Sequence, residues 1–256
     1  MESTRHGRRV VPAVLITAVV ATGVAVASVL TALARRRRHE EASRPADVGF
    51  MIAMHNAFRR DLAELERLTQ GGGAPAADEN ARRSWESFRD RLHRHHVAED
   101  EDLWPVLREH LSAPDDLARV DQMVQEHQAL STALDEVDQA VAMSPTSPTR
   151  AGGPEPAAAV ERLGRLLRDH LEHEEREVLP LVQDHLTRSD WRTFLVTERR
   201  QTPVRERPDF LGWVLDDANP ADTRAVLSEL PPPGRLAYRV VIAPRYRGRR
   251  PGGRDG

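Results

Sequence analysis

The chain has 256 residues, of which 39% are hydrophobic, 30% charged and only 4% aromatic, and its formal net charge is -3. These values suit one helical domain with appendages, disfavour a β-sandwich, and give no global charge that would attract nucleic acid. Because the chain contains no cysteine, disulfides, iron–sulfur clusters and thiol catalysis are excluded, and any bound metal must use histidine and carboxylate ligands.

The first feature along the chain is an uncharged, apolar run at residues 10–34. At about 1.5 Å per residue it is long enough to cross a hydrocarbon core of about 30 Å, so it predicts an N-terminal transmembrane helix. Arg35–Arg38 follow it directly, which predicts a single-pass protein of the cell membrane with its main domain in the cytoplasm. The alternative is secretion after signal cleavage, since Arg8-Arg9 resembles a twin-arginine start and Ala32–Ala34 a cleavage site. Residues 1–44 are therefore assigned to a membrane anchor and linker.

Four amphipathic segments come next, and each has apolar residues three and four positions apart. This spacing predicts helices over about residues 47–70, 78–111 and 114–143, and a fourth after the Pro/Gly/Ser-rich loop at residues 143–159. The predicted fold class is all-α, an antiparallel four-helix bundle at residues 45–200. Residues 201–256 are predicted to form a short C-terminal extension, helical at first and arginine-rich at its end.

The same pattern of residues occurs twice, in HHVAEDEDLWP (His95–Pro105) and in HLEHEEREVLP (His170–Pro180). In each stretch a histidine is followed four residues later by glutamate and ten residues later by proline. A fixed offset of this kind indicates an internal repeat. The bundle is therefore predicted to consist of two repeated helical hairpins.

Six polar residues fall on the apolar stripes of the four helices, in a pattern that repeats between the hairpins: His55, His95, Glu99, His127, His170 and Glu174. Positions i and i+4 share one helix face, so each His–Glu pair points at the core. A carboxylate buried alone is strongly destabilising, and no arginine lies on these stripes to pair with it. The six residues therefore predict a metal site. The other helical histidines are predicted to lie on the surface or to have ordinary structural partners: His93, His96, His110, His173 and His185.

These residues resemble the hemerythrin-like, or HHE cation-binding, family over about residues 47–190. The resemblance rests on the histidines of MHNAFR and QEHQAL and on the two repeated stretches. It implies a non-haem di-iron centre, two iron ions joined by an oxo or hydroxo bridge, inside a four-helix bundle. By this resemblance the ligands are as follows: His55, His95, His127 and His170 bind the irons end-on, while Glu99 and Glu174 bridge them.

One departure from the family pattern, and one segment beyond the bundle, affect this interpretation. The oxygen-carrying hemerythrins of marine worms have a second histidine four residues after the third-helix ligand, and this chain has Ser131 there. That difference argues against simple reversible oxygen carriage. The remaining segment, Phe210–Arg247, resembles a tail found on actinobacterial members of the family, and its role does not follow from the sequence.

Three functions from different classes fit such a site. The expected function is binding or sensing of O₂, NO or peroxide (H₂O₂) at an open coordination position. The alternatives are a di-iron oxidoreductase that acts on peroxide or nitric oxide, and a structural bundle that holds adventitious divalent metal. Imidazole and carboxylate also suit Mn and Zn, so the ligand types do not select iron. The sequence leaves open whether the chain is an enzyme and identifies no protein partner.

Overall fold

The structure, a computed structural model, describes residues 31–70, 79–142 and 156–247. The chain divides into two units, Met1–Arg44 and Pro45–Gly256. In the first unit a helix, α1, occupies residues 31–42. The predicted membrane span at residues 10–34 lies outside the described residues except for its last turn. Among the described residues, no helix is both long enough and apolar enough to cross a membrane.

The regular secondary structure in the described part of the second unit is helical, apart from one isolated β-bridge between Pro45 and Thr187. Its first seven helices are α2 (Gly49–Gln70), α3 (Glu79–Ala98), α4 (Trp104–His110), α5 (Pro114–Ala142), α6 (Pro156–His173), α7 (Leu179–His185) and α8 (Arg188–Gln201). Four more helices follow: α9 (Arg207–Val214), α10 (Pro220–Ser228), α11 (Pro232–Ala237) and α12 (Ala243–Arg247). The predicted all-α class is confirmed for these residues.

Four long helices form a closed ring of neighbours. Helix α2 packs against α3, α3 against α5, α5 against α6, and α6 back against α2. The interior of this ring is filled by the predicted apolar stripes, including Phe58, Phe88, Leu92, Leu163 and Leu167, each at most 1% exposed. The arrangement agrees with the predicted four-helix bundle, because each helix buries one stripe against two neighbours.

Two π-helical turns interrupt the bundle at equivalent places. The first π-turn (Glu99–Leu103) links α3 to α4, and the second π-turn (Glu174–Val178) links α6 to α7. In each, the closing hydrogen bond spans five residues, as from Trp104 N–H to the carbonyl of Glu99. The helix predicted over about residues 78–111 therefore continues from Glu79 to His110, and the sequence analysis did not anticipate the π-turn within it.

The recurring proline of the two repeated stretches explains these turns. Inside an α-helix a proline lacks its N–H and its ring collides with the carbonyl four residues before it. Pro105 instead lies in the first turn of α4, where no donor is needed, and Pro180 occupies the same place in α7. The π-turn before each proline thus lets the helix continue past it.

The C-terminal extension packs on the outside of the bundle. Trp213 of α9 is 1% exposed, and its indole N–H donates to Asp61 of α2 at 2.6 Å. Arg60 donates to the backbone carbonyls of Trp213 and Asp216. Helix α10 also lies against α2, while α8 packs against α3 and the first π-turn. The extension therefore covers the helix that carries His55.

Candidate metal centre

The structure brings all six predicted site residues together in the bundle interior. Their exposures are 4% or less, and they lie in two groups with a seventh residue, His96. The first group contains His55, His95, Glu99 and Glu174, and the second contains His96, His127 and His170. Within each group the nearest ligand atoms all lie within 4.8 Å of one another. Metal–nitrogen and metal–oxygen bonds are about 2 Å long, so each group is compact enough to surround one cation.

The first group is built around two imidazoles from different helices. Nε2 of His55 lies 3.4 Å from Nε2 of His95. Nε2 of His55 is also 3.3 Å from Oε2 of Glu174, and Nε2 of His95 is 3.2 Å from Oε1 of Glu99. Two nitrogens and two oxygens therefore point at one space.

The second group shares the same two glutamates. Oε2 of Glu99 lies 3.5 Å from Nε2 of His127, and Oε2 of Glu174 lies 3.8 Å from Nε2 of His170. Glu99 thus directs one oxygen toward each group. A carboxylate in this position is able to link two cations.

His96 completes the second group, and its placement corrects the sequence interpretation. Its ring stacks on His127 with centroids 4.1 Å apart and meets the ring of His170 edge-on at 5.2 Å. The prediction that His96 lies off the core-facing stripe is wrong, because α3 contacts α2, α5 and α8 and so buries a wide arc. The repeat contained a signal for this: the position equivalent to His96 is the buried, apolar Leu171.

Carboxylates next to the two glutamates hold the histidines of the opposite hairpin. Nδ1 of His127 hydrogen-bonds Asp100 at 2.8 Å, and Nδ1 of His55 hydrogen-bonds Glu175 at 2.9 Å. Arg59 also donates to Glu175, at 2.7 Å. Such partners fix the ring orientation and leave Nε2 free to face the centre. Each hairpin therefore orients one imidazole of the other.

A third carboxylate, that of Glu126, supports a histidine of the second group. Glu126 accepts hydrogen bonds from Nδ1 of His170 at 3.0 Å and from Nδ1 of His173 at 2.8 Å. His173 therefore has the ordinary structural partner that the sequence predicted. In the first hairpin the residue equivalent to Glu126 is Met54, and Nδ1 of His95 is buried without a partner among the described residues. The two groups are thus supported unequally.

Several buried polar atoms at the centre have no hydrogen-bond partner among the described residues: Nε2 of His96, His127 and His170, and both carboxylate oxygens of Glu99 and Glu174. Burial lowers the pKa of His95, His96 and His170, so these rings are neutral at neutral pH and retain a lone pair. Burial and the nearby Glu174 raise the pKa of Glu99. Unpaired acceptors facing one another are unfavourable in a dry core, and cations placed between them would satisfy them. The residues present fit a bound metal.

Comparison with known families decides the class of protein. A family model, the hemerythrin HHE cation binding domain, matches residues 46–182, which is more than half of the chain. The chain belongs to the hemerythrin HHE family. This confirms the family resemblance over the matched residues, while the actinobacterial character of the tail stays a prediction. No curated protein and no solved structure matches the chain.

All seven residues of the two groups lie within the matched HHE domain. Family membership and the two buried clusters agree on metal binding as the chemistry of this domain. Within the part of the chain that the structure describes, the two buried glutamates have no arginine partner. Cations bound between them would compensate their negative charge.

One acidic residue outside the matched HHE domain also acts on the centre. Glu198 lies on α8, close enough that its ionised form would help raise the pKa of Glu99. Burial raises the pKa of Glu198 itself to about 8, so it keeps its proton at neutral pH. The sequence analysis missed it, although Glu198 continues the stripe of Trp191 and Phe194 at helical spacing.

Proposed function

We propose that the chain is a non-haem di-iron protein that binds or senses O₂, NO or peroxide at an open coordination position. The observation that carries this proposal is the position of the two glutamates. Glu99 lies 3.2 Å from His95 and 3.5 Å from His127, and Glu174 lies 3.3 Å from His55 and 3.8 Å from His170. Each carboxylate therefore faces imidazoles of both groups, as a bridge between two metal ions requires. An oxo or hydroxo bridge between two iron ions is part of the proposal.

The unequal number of nitrogen donors supports an open position at the first group. The second group offers three imidazoles, whereas the first offers only two, from His55 and His95. With both glutamates shared, an ion in the first group has fewer protein donors and retains room for a small external ligand. His96 supplies the third imidazole of the second group, in place of the histidine that Ser131 replaces. Ser131 itself is exposed.

The alternative function, an oxidoreductase that turns over peroxide or nitric oxide, is favoured by Glu198. Reduction of such ligands consumes protons, and Glu198 holds one at neutral pH near Glu99. The two functions differ in whether ligand is consumed over many turnovers. A third possible function is a structural bundle that holds adventitious divalent metal. In that case the bound ion would show no spectral change when O₂, NO or peroxide is added.

A membrane location is part of the same proposal. The uncharged run at residues 10–34 and the arginines that follow it support a single-pass anchor with the HHE domain in the cytoplasm. The full-length protein should then stay in the membrane fraction through alkaline carbonate washing. Recovery of a soluble chain that begins near Arg35 would instead establish signal cleavage and secretion.

The function is tested by metal analysis and spectroscopy of the full-length protein. After loading with Fe(II), we expect two iron ions per chain and absorption changes on adding O₂, NO or H₂O₂. The variant His95→Ala should lose the response, while His110→Ala, at an exposed position outside both groups, should retain it. Equal loading by Mn or Zn without any spectral response to the ligands would contradict the proposal. Continued loss of peroxide with an added electron donor would select the oxidoreductase.

A further inference from the structure

The C-terminal helical segment presents an apolar face to solvent. Helix α11, a third π-turn (Tyr238–Ile242) and α12 form one continuous segment over residues 232–247. Its outer side carries Leu236, Val240 and Val241, which are 64%, 65% and 43% exposed. Six large hydrophobic residues are exposed in the described part of the chain, and these are three of them. Aliphatic side chains grouped in this way on the surface indicate an interaction site.

The opposite side of this segment is already occupied. Tyr238, Ala243 and Tyr246 face the body of the protein and pack against the core, where α9 is the neighbouring helix. The contact is close at Gly212 of α9, where a Cβ atom would lie 2.5 Å from Cδ2 of Tyr246. Glycine is needed there because any larger residue would displace the tyrosine ring. The docking of α12 thus fixes which side of the segment remains outside.

The sequence around the exposed aliphatic residues is rich in arginine. From residue 231 to residue 254 the sequence contains seven arginines and no acidic residue: Arg235, Arg239, Arg245, Arg247, Arg249, Arg250 and Arg254. Arg239 and Arg245 are exposed and form no ion pair with the described residues. The chain as a whole has a net charge of -3, so this basic region is a local feature.

We propose that residues 232–247 dock on the surface of an anionic lipid bilayer. The aliphatic side chains would enter the boundary between headgroups and acyl chains, and the arginines would bind the anionic headgroups. Nucleic acid fits this surface poorly, because Tyr238 and Tyr246 are turned inward and leave no ring on which a base can stack. A second copy of the segment fits poorly as well, since its equal positive charge repels.

This proposal goes beyond the metal-dependent function and does not depend on it. It is also independent of the N-terminal anchor, because the segment carries its own aliphatic and charged groups. If both membrane contacts form, the HHE domain is held against the bilayer at two points and is restricted in orientation. Small apolar ligands such as O₂ and NO concentrate in bilayers, so this placement would bring the metal centre close to their source.

The test is hydrogen exchange of the full-length protein in lipid vesicles, read at peptides covering residues 232–247. One vesicle contains phosphatidylcholine alone, and the other contains phosphatidylcholine with phosphatidylglycerol as the anionic lipid. We expect protection of these peptides only in the anionic vesicles, and weaker protection at high salt. Binding of the whole chain is not the readout, because the N-terminal segment by itself is expected to hold the protein in both vesicles.

Two double variants separate the contributions of charge and apolar surface. Each arginine near an anionic surface is worth roughly fivefold in the docking equilibrium, so Arg239→Gln with Arg245→Gln should lower protection by up to about 25-fold. Leu236→Gln with Val240→Gln should also lower it, whereas Val204→Gln, at a residue 73% exposed elsewhere, should not. Equal protection in both vesicles, or in the variants and the wild type, would overturn the proposal. Protection that rises with protein concentration without lipid would overturn it in favour of self-association.

Discussion

Replacing Glu175 by glutamine should weaken metal binding without changing any proposed ligand. Glu175 accepts hydrogen bonds from Nδ1 of His55 at 2.9 Å and from Arg59 at 2.7 Å. Its negative charge makes Nε2 of His55 a stronger electron-pair donor to a metal ion and fixes the direction in which Nε2 points. Glutamine still accepts a hydrogen bond but carries no charge. We therefore expect the metal affinity to fall by about 10- to 100-fold, the range typical of partners that hold a ligand from behind.

The same substitution should change how the metal-free protein responds to acid. Burial alone would raise the pKa of Glu175, but the hydrogen bonds from His55 and Arg59 outweigh it and lower the pKa from 4.5 to about 2. A carboxyl group with a lowered folded-state pKa stabilises the fold above about pH 4.5, and this stabilisation is lost as the pH falls toward 2. The difference of 4.5 − 2 = 2.5 pH units, at about 1.36 kcal/mol each, corresponds to about 3 kcal/mol. Because the side chain is 24% exposed, solvent screening reduces this figure.

Two measurements on the full-length protein check this reasoning. Competition with a chelator of known affinity gives the metal affinity, and thermal unfolding of the metal-free protein between pH 2 and pH 7 gives the acid response. The matched control is Glu172→Gln on the same helical segment, because the Glu172 side chain is 72% exposed and its ion pair within the described part of the chain is with Arg176, at 3.5 Å. If Glu175→Gln binds metal as tightly as the control does, the hydrogen bond across the hairpins does not orient His55 and the argument fails.

The geometry also predicts three simpler results. His96→Leu, which copies the residue at the repeated position, should halve the metal content, whereas His93→Leu at an exposed position should leave it unchanged in elemental analysis. Glu99→Gln should raise the thermal unfolding midpoint of the metal-free protein at neutral pH. Burial raises the pKa of Glu99, so the wild-type carboxyl group makes folding less favourable as the pH rises above about 4.5, and glutamine removes this pH-dependent cost. The metal-free wild type should lose stability as the pH falls below about 6.5, because burial lowers the pKa of His95 and His170 and the unfolded chain takes up protons first.

The helical period was sufficient to predict the bundle and the convergence of six residues. Apolar residues three and four positions apart identify the buried stripe of each helix, and a polar residue on that stripe must enter the core. His55 and His127 were found in this way, and both are nearly inaccessible in the structure. The approach works because it needs only the local geometry of one helix at a time.

Residues that depend on how helices dock were not predictable in this way. Asp100 and Glu175 belong to runs of acidic residues that resemble a solvated helix face, and only the packing of the two hairpins brings each to a histidine of the other. His96 was missed for a related reason, because the width of the buried arc on α3 depends on the number of helices that contact it. The π-turns depend on a proline whose effect is visible only when the helix is known to continue beyond it.

The departures from the internal repeat explain how two similar hairpins produce two different groups of candidate ligands. Where the first hairpin has His96, the second has Leu171, and where the second has Glu126, the first has Met54. Both differences strengthen the second group of ligands relative to the first. His96 adds an imidazole to the second group, and Glu126 holds His170 in place, while the equivalent His95 has no partner for Nδ1 among the described residues. A perfectly symmetric repeat would give two equivalent groups of candidate ligands, neither more open than the other. The asymmetry instead gives the second group more imidazoles and firmer support, and this supports the proposal that a small ligand binds at the first.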